Sequence, residues 1–520
     1  MGKKKWAGML AFVLVIVAGC SGGGGGSPQS QESNQKTEEL TVELFDRNNV
    51  PEGQGTLMDN QWTRWIQQEM LKQGVKVTFV PVPRSQETDK LNVMMAAGNA
   101  PDIVFTYDRL LFTKYALSDG LADLTESLNK YGPELKKALG DKVLANGVIN
   151  GKQYAIPAVR SNTNHYGSFI RQDWLDKLGL KAPTTTEELV NVLKAFKEKD
   201  PGGIGANNLI PWERVPQDPN KFSTEFLLYD LMASFFKDNS LKTRFTTPEP
   251  AREGFKDFML FMNTMYKNGL LNREFATSDN KTQMANVTKG VAGFFTEGAW
   301  VPYSSVPSPY SVLQKSVPTA KLTPIEVFKN PDGHYYKTNY PPLGLYIFTP
   351  KTSKHVDAVV KYLNWMAKPD VTQTLAFGLE GKNFKMDNGI PTPISAEENN
   401  KTMNWIMPDL KLIYNGNPPM PQAQSDALLK LTAQPYGDFA VLSNQIAAKD
   451  AVSDVLFNEP VEAEVKNNPQ IVKTEQEYWI KMVTATDFEA TYAQFQNELK
   501  SRGIDQIITQ RTALYNKTFK

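Results

Sequence analysis

The sequence predicts an α/β protein. Three observations carry that prediction: strand-like and helix-like segments alternate from Leu40 onward, turn residues stand at the segment ends, and 41% of the 520 residues are hydrophobic. Leu40, Val42 and Leu44 alternate with Thr41 and Glu43, the period of a strand. Trp62, Trp65, Ile66 and Met70 then recur at helical spacing, and Gly74 lies where the helix should stop. Val75 to Val80 reads as the next strand, Leu91 to Ala97 as the end of a helix stopped at Gly98, and Ile103 to Phe105 as a third strand. This order predicts a largely parallel sheet with helices on its faces, and ligands of such sheets meet the carboxyl ends of the strands. Asp46 and Arg47 follow the first strand; Tyr107, Asp108 and Arg109 follow the third.

A second region starts near Arg160. Phe169 and Ile170 lead into Asp173 to Leu178, then Gly179, Pro183 and a capping pattern in which Thr184 or Thr185 precedes Glu187 or Glu188 by three residues. Leu189, Leu193 and Phe196 carry the apolar stripe of the next helix, which ends at Asp200-Pro201 before a loop with Gly202, Gly203 and Gly205. Val291 to Phe295 and Leu345 to Phe348 read as strands. The last ~170 residues read as mainly helical, with a Pro-rich break at Asn417 to Pro421 and a final amphipathic stretch around Tyr478 to Leu499. No short-period repeat is present.

Composition bounds the chemistry. With 57 basic against 56 acidic side chains there is no field to gather nucleic acid or hold the body on an anionic membrane. One cysteine makes neither an intrachain disulfide nor a thiolate zinc site, and no two of His165, His334 and His355 have the spacing of a metal-binding helix. No metal or cofactor is expected.

The N-terminus reads as an address. Lys3, Lys4 and Lys5 precede an apolar run from Trp6 to Val17, which is shorter than the ~20 residues that span a bilayer, and Ala18, Gly19 and Cys20 follow. Val17-Ala18-Gly19-Cys20 resembles the bacterial lipobox, which implies removal of residues 1–19 and a diacylglycerol on Cys20. Residues 20–37, with Gly22 to Gly26 in a row, read as a flexible tether with a reach of roughly 20–25 Å.

Taken together, the chain resembles the extracellular solute-binding proteins of ABC importers, in particular the long lipoprotein branch of the sugar-binding family in Gram-positive bacteria, distantly similar to maltose-binding proteins. The resemblance is carried by the lipobox, Ala96-Ala97-Gly98-Asn99-Ala100-Pro101-Asp102-Ile103-Val104-Phe105, Asn150-Gly151-Lys152-Gln153-Tyr154-Ala155-Ile156-Pro157, Ile170-Arg171-Gln172-Asp173-Trp174-Leu175, Pro183-Thr184-Thr185-Thr186-Glu187-Glu188-Leu189 and Gly290-Val291-Ala292-Gly293-Phe294-Phe295. It implies a periplasmic-binding-protein-like fold of two α/β lobes, joined by hinge crossings around a ligand cleft. The crossings are expected near Pro157-Ala158, before Gly290 and near Leu345 to Pro350. One lobe would then comprise 38–157 plus 290–345, and the other 158–289 plus 346–520. The implied partners are a carbohydrate, in particular an oligosaccharide, and the ABC permease subunits in the membrane. The protein itself is expected to be a lipid-anchored monomer on the extracellular face.

Sugars present an apolar face and a rim of hydroxyls, so their sites need aromatic platforms and planar polar side chains. Trp300, in Glu297-Gly298-Ala299-Trp300, resembles the position from which maltose-binding proteins stack a tryptophan on sugar; the alternative is a core tryptophan. Asp108 and Arg109 resemble the Asp-Arg pair of the same proteins, against a local ion pair. Tyr107, Tyr303, Asp46 and Arg47 are supporting candidates. Arg160 faces ligand or pairs across the hinge, and Trp212, Tyr340 and Trp405 are further platforms or loop packing. Relatives of this branch carry a calcium loop where this chain has Asp200 to Pro211, but Gly202, Ile204 and Leu209 replace oxygen ligands, so calcium is not expected there. The rival readings are a surface glycoside hydrolase or lyase using two carboxylates, and a peptide-binding lipoprotein. No Walker loop, nucleophile elbow or zinc helix supports an enzyme.

Overall fold

A computed structural model describes residues 37–160, 166–214, 229–304, 307–453 and 459–519. The signal segment, Cys20 and nearly all of the tether lie outside the described residues. Ten strands build the two main sheets: β1 Glu38–Asp46, β2 Val75–Pro83, β3 Val104–Thr106, β4 Ala155–Arg160, β5 Tyr166–Arg171, β6 Ile210–Glu213, β7 Ala292–Gly298, β8 Leu322–Ile325, β9 Leu343–Phe348 and β10 Tyr414–Asn415.

The first sheet has the order β2-β1-β3-β9-β4-β10. β1 and β2 pair in parallel over nine residues, and Val42 bridges Ile103 in parallel, as the alternation predicts. β9 departs from that pattern and runs antiparallel to both β3 and β4, because it arrives from the other lobe and not through a local helical crossover. The Asp102 carboxylate fastens the sheet. It accepts from the Thr41 amide at 2.9 Å, the Thr41 hydroxyl at 2.6 Å and the Ser353 hydroxyl at 2.6 Å. The helix Gln61–Leu71 buries Trp62, Ile66 and Met70 beneath it, and Asn60 starts that helix with a capping box completed by Thr63. Leu40, Val42, Ile103, Phe105, Ile347 and Leu363 belong to this core.

The second sheet has the order β8-β5-β7-β6, with only β6 and β7 parallel. Its helices behave as read: Thr185 caps Thr186–Lys199 by accepting from the Glu188 amide at 3.1 Å, and Glu188 answers by accepting from the Thr184 amide. The C-terminal stretch is broken at Ala485 to Asp487 into the helices Glu462–Thr484 and Phe488–Ser501, which pack Trp479 and Phe495 into the second core.

The lobe boundaries differ from those the sequence suggests. β7 lies inside the second sheet, between β5 and β6, and β8 is its edge, so the segment around 290–325 belongs to the second lobe. β9 and the segment up to β10 belong to the first, with Tyr362, Trp365 and Met407 in its core. A buried apolar strand carries no local mark of the sheet it will join; pairing decides it.

The chain therefore passes between the sheets from β4 to β5, from β8 to β9 and from β10 into the helix Gln422–Thr432. These passages meet at the end of β4. The Val159 amide donates to the Ile413 carbonyl at 3.0 Å, the Arg160 amide donates to the Pro342 carbonyl at 2.8 Å, and Asn415 pairs with Arg160. Gly344 permits this crowding, since a Cβ there would stand 2.5 Å from Cβ of Asn415.

Under the first sheet, Glu43 is almost fully buried and accepts from the Phe105 amide at 3.0 Å. Burial raises its pKa to about 8, against the lowering effects of that hydrogen bond and of Arg84. A carboxyl whose folded pKa lies above its unfolded value contributes stability at low pH, and that contribution is lost as pH rises from about 4.5 through about 8. Raising the pH from 5 to 9 is therefore expected to lower the melting temperature of the parent by several degrees more than that of Glu43→Gln, measured by calorimetry on both.

Candidate functional site

At the carboxyl ends of the first-lobe strands, arginines and tyrosines are layered on one another. Asp46 closes β1 by accepting from the Asn48 amide at 2.8 Å, and Arg47 forms a fork onto Asp409 at 2.6 and 2.8 Å. Arg84, just after β2, places its guanidinium 4.7 Å from the Phe45 ring centre and 4.9 Å from that of Tyr107, and is ion-paired to Glu87. Tyr107 follows β3, stacks on Phe45, and its hydroxyl accepts from the Asn415 side chain at 2.9 Å. Arg160, at the end of β4, lies 4.2 Å from the Tyr340 ring centre and 5.7 Å from that of Tyr107. Tyr340 is hydrogen-bonded to Tyr166 of the second lobe. Burial lowers the pKa of Arg160 and raises that of Tyr340.

Beside this layer opens a cavity of about 660 Å³, within the size range of small-molecule sites. Val159 and Arg160 stand at one side, Trp300 and Ser304 come from the second lobe, and the first lobe contributes Phe377 and a group of asparagines, Asn399, Asn400 and Asn404. The third passage supplies Asn417 to Met420 and the helix that follows adds Gln422 and Ser425. Trp300 and Phe377 are half-buried aromatics on this wall. Amides, hydroxyls and flat rings suit a ligand with both hydroxyl rims and apolar faces.

The structure brings Arg160 and Trp300 to the cavity and gathers Arg47, Tyr107 and Tyr340 in the adjoining layer. It removes others. Trp212 lies inside β6 with no exposed surface, edge-on to Phe294, so it is a core side chain and not a loop platform. Tyr303 is equally buried: its ring packs on Phe169, Tyr310 and Phe439, and its hydroxyl donates to the Leu322 carbonyl at 3.2 Å. Trp405 is buried in the first core. Asp108 caps the helix Arg109–Leu117, accepting from the Leu110 and Leu111 amides at 2.8 and 3.1 Å, and Arg109 stands near Glu464 and Arg511, away from the cavity lining. The polar or Pro-rich surroundings of Trp212 and Trp405 in the sequence suggest loop platforms or loop packing, and Tyr303 a supporting candidate; the burial of all three is set by distant packing and is not legible locally.

Arg84, Phe377 and the asparagines were missed. Asn400 and Asn404 stand four apart, the spacing of one helical face, but Asn399 is the direct neighbour of Asn400, and nothing in the sequence brings any of the three toward Trp300. In the glycine-rich loop the Asp200 carboxylate accepts from the Ile204 and Gly205 amides at 3.1 and 2.8 Å, and the Asn208 amide group donates to the Ile204 carbonyl. The loop thus satisfies its polar groups internally.

A family model described as "Bacterial extracellular solute-binding protein" matches residues 55–373. Lipoprotein LipO of Bacillus subtilis (strain 168) is 27% identical over 425 residues, covering 77% of each chain. The polygalacturonan/rhamnogalacturonan-binding protein YtcQ of the same organism is 28% identical over 395 residues, covering 74% of this chain and 75% of its own. Among solved structures, the alginate-binding protein AlgQ2 without calcium ion matches with a TM-score of 0.70 at 21% identity, over 92% of this chain and 98% of its own, which is a likeness of fold.

The two tryptophans separate by stability. Trp212→Ala empties a close-packed core site and is expected to lose about 3–5 kcal/mol in urea unfolding. Trp300→Ala, which trims a half-buried wall, is expected to lose far less.

Proposed function

As the chain belongs to the bacterial extracellular solute-binding protein family, we propose that it captures an oligosaccharide between its lobes and hands it to an ABC importer. The observation that carries this reading is the cavity at the meeting point of the three passages, walled by Trp300 and Phe377 and rimmed with amides. A sugar spanning it touches both lobes, so binding energy is available only to the arrangement in which they stand together. That arrangement is the form offered to the permease. The names of YtcQ and AlgQ2, which bind polysaccharides, support carbohydrate as the solute.

In this reading the lipobox cysteine Cys20 carries the lipid, the glycine-rich tether frees the body from the membrane, and the protein works as a monomer on the extracellular face. The role is capture without turnover.

A ligand at 100 times its dissociation constant adds about 2.7 kcal/mol of stability, so a thermal-shift screen against neutral and acidic oligosaccharides is expected to raise the melting temperature with one chemical class. Chromatography should recover that sugar unchanged. Trp300→Ala is expected to weaken its binding about 5- to 150-fold in titration calorimetry, because stacking on the indole buries apolar area. Cys20→Ala is expected to release the protein from the membrane fraction. A consumed sugar, or full affinity in folded Trp300→Ala, would count against this assignment.

A further inference from the structure

Arg160 is the one ionisable residue among the described side chains that line the cavity; the rest of the wall is apolar or carries amides and hydroxyls. Neutral sugars are usually held through carboxylates that accept from their hydroxyls, and among the described residues no aspartate or glutamate is on this wall. The other two arginines of the layer are already matched, Arg47 to Asp409 and Arg84 to Glu87. Arg160 is not. Among the described residues, the charged or polar groups acting on its guanidinium are the phenols of Tyr107, Tyr340 and Tyr166, and its buried Nε–H meets no hydrogen-bond acceptor. Stacking between Tyr340 and Tyr107 fixes the plane of the guanidinium but supplies no acceptor to that edge. A half-buried guanidinium that lies against aromatic rings with an unmet Nε–H is an arrangement that a planar carboxylate completes with two parallel hydrogen bonds.

A second cation stands behind the same wall. Lys411 lines a small adjoining cavity that shares Ala376 and Pro418 with the larger one, and burial alone lowers its pKa to about 8. Both features give the pocket a positive potential in a site where low dielectric strengthens it.

We propose that Arg160 seats a carboxylate of the ligand, so that the protein selects an oligosaccharide of uronic acid residues over its neutral counterpart. This rests on the carbohydrate-capture reading above and names the class of sugar. The backbone of Arg160 is held on both sides, by Pro342 and by Asn415, so the guanidinium is presented at the junction of the passages that join the lobes. A carboxylate bound there adds its attraction to the closed arrangement.

The test is titration calorimetry of the full mature chain with trigalacturonate and trimannuronate, each against its carboxyl-reduced counterpart. At least one acidic trimer is expected to bind about 10- to 100-fold more tightly than its reduced form, the worth of hydrogen bonds to a charged group. In Arg160→Gln that preference should collapse toward parity, and Arg160→Lys, which keeps charge but loses the fork, should restore only part of it. Rising salt should erode the preference while leaving stacking intact. If Arg160→Gln does not fold, the acid-to-reduced ratio in the parent decides alone. Equal binding of acidic and reduced trimers, or a loss in Arg160→Gln shared equally by both, overturns the proposal and leaves carbohydrate capture standing. If no acidic trimer binds while a neutral oligosaccharide from the wider screen does, the proposal falls alone; if no oligosaccharide of either kind binds, both readings fall.

Discussion

All six residues of β9 are buried, and the strand lies between β3 and β4, so the first sheet cannot be completed until the chain has gone out through the second lobe and returned. That pairing is the constraint on which the rest depends. It sets the passage from β8 beside the end of β4, where the Arg160 amide reaches the Pro342 carbonyl, and β10 closes the other side of the same strand. Tyr340 and Asn415 arrive at the site by this route, one to stack on Arg160 and the other to bond Tyr107. The proposed ligand site and the passages between the sheets share residues because both are made by the same long-range pairing. The two sheets keep separate apolar cores on either side of that junction.

Charge follows burial through the site. Arg84 is largely shielded, Arg47 is partly exposed, and each has a carboxylate within reach, while burial keeps Glu43 protonated across much of the physiological range. What remains at the cavity is a cation held by aromatic rings and a wall of amides. Such a wall costs little to leave wet, since amides and hydroxyls bond water until a ligand displaces it.

Several residues that look functional in a one-dimensional reading first satisfy the backbone. Asp108 accepts the free amides at a helix start and Asp200 closes its own loop; Asp102, a motif residue and not a site candidate, likewise joins three segments of the first lobe. Their positions after strands and helices are where caps and turns need acceptors, and this need is local. Tyr303 and Trp212 fail as platforms for a different reason. Each comes at or near the end of a strand in the second sheet, but the helices packed on that sheet bury both.

By itself the sequence determined the parts that depend on neighbours in the chain: the alternation of strands and helices from β1 to β3, the stop at Gly98, the cap at Thr185, and the family motifs around Asp102, Tyr154 and Trp174. These follow from side-chain period, capping and turn chemistry, all of which act over a few residues. The candidates Trp300 and Arg160 were legible as aromatic and cation near strand ends. Only the tertiary structure decided that β7 belongs to the opposite sheet from the one expected, that β9, expected as a crossing, is a central strand of the first sheet, that Phe377 and the asparagines face Trp300 across the cavity, and that among the described residues Arg160 has no carboxylate while Arg47 and Arg84 are matched. Those outcomes rest on which strand edges meet and which charges share a buried space, and both are set by contacts between residues hundreds of positions apart, such as Arg47 with Asp409 and Tyr107 with Asn415.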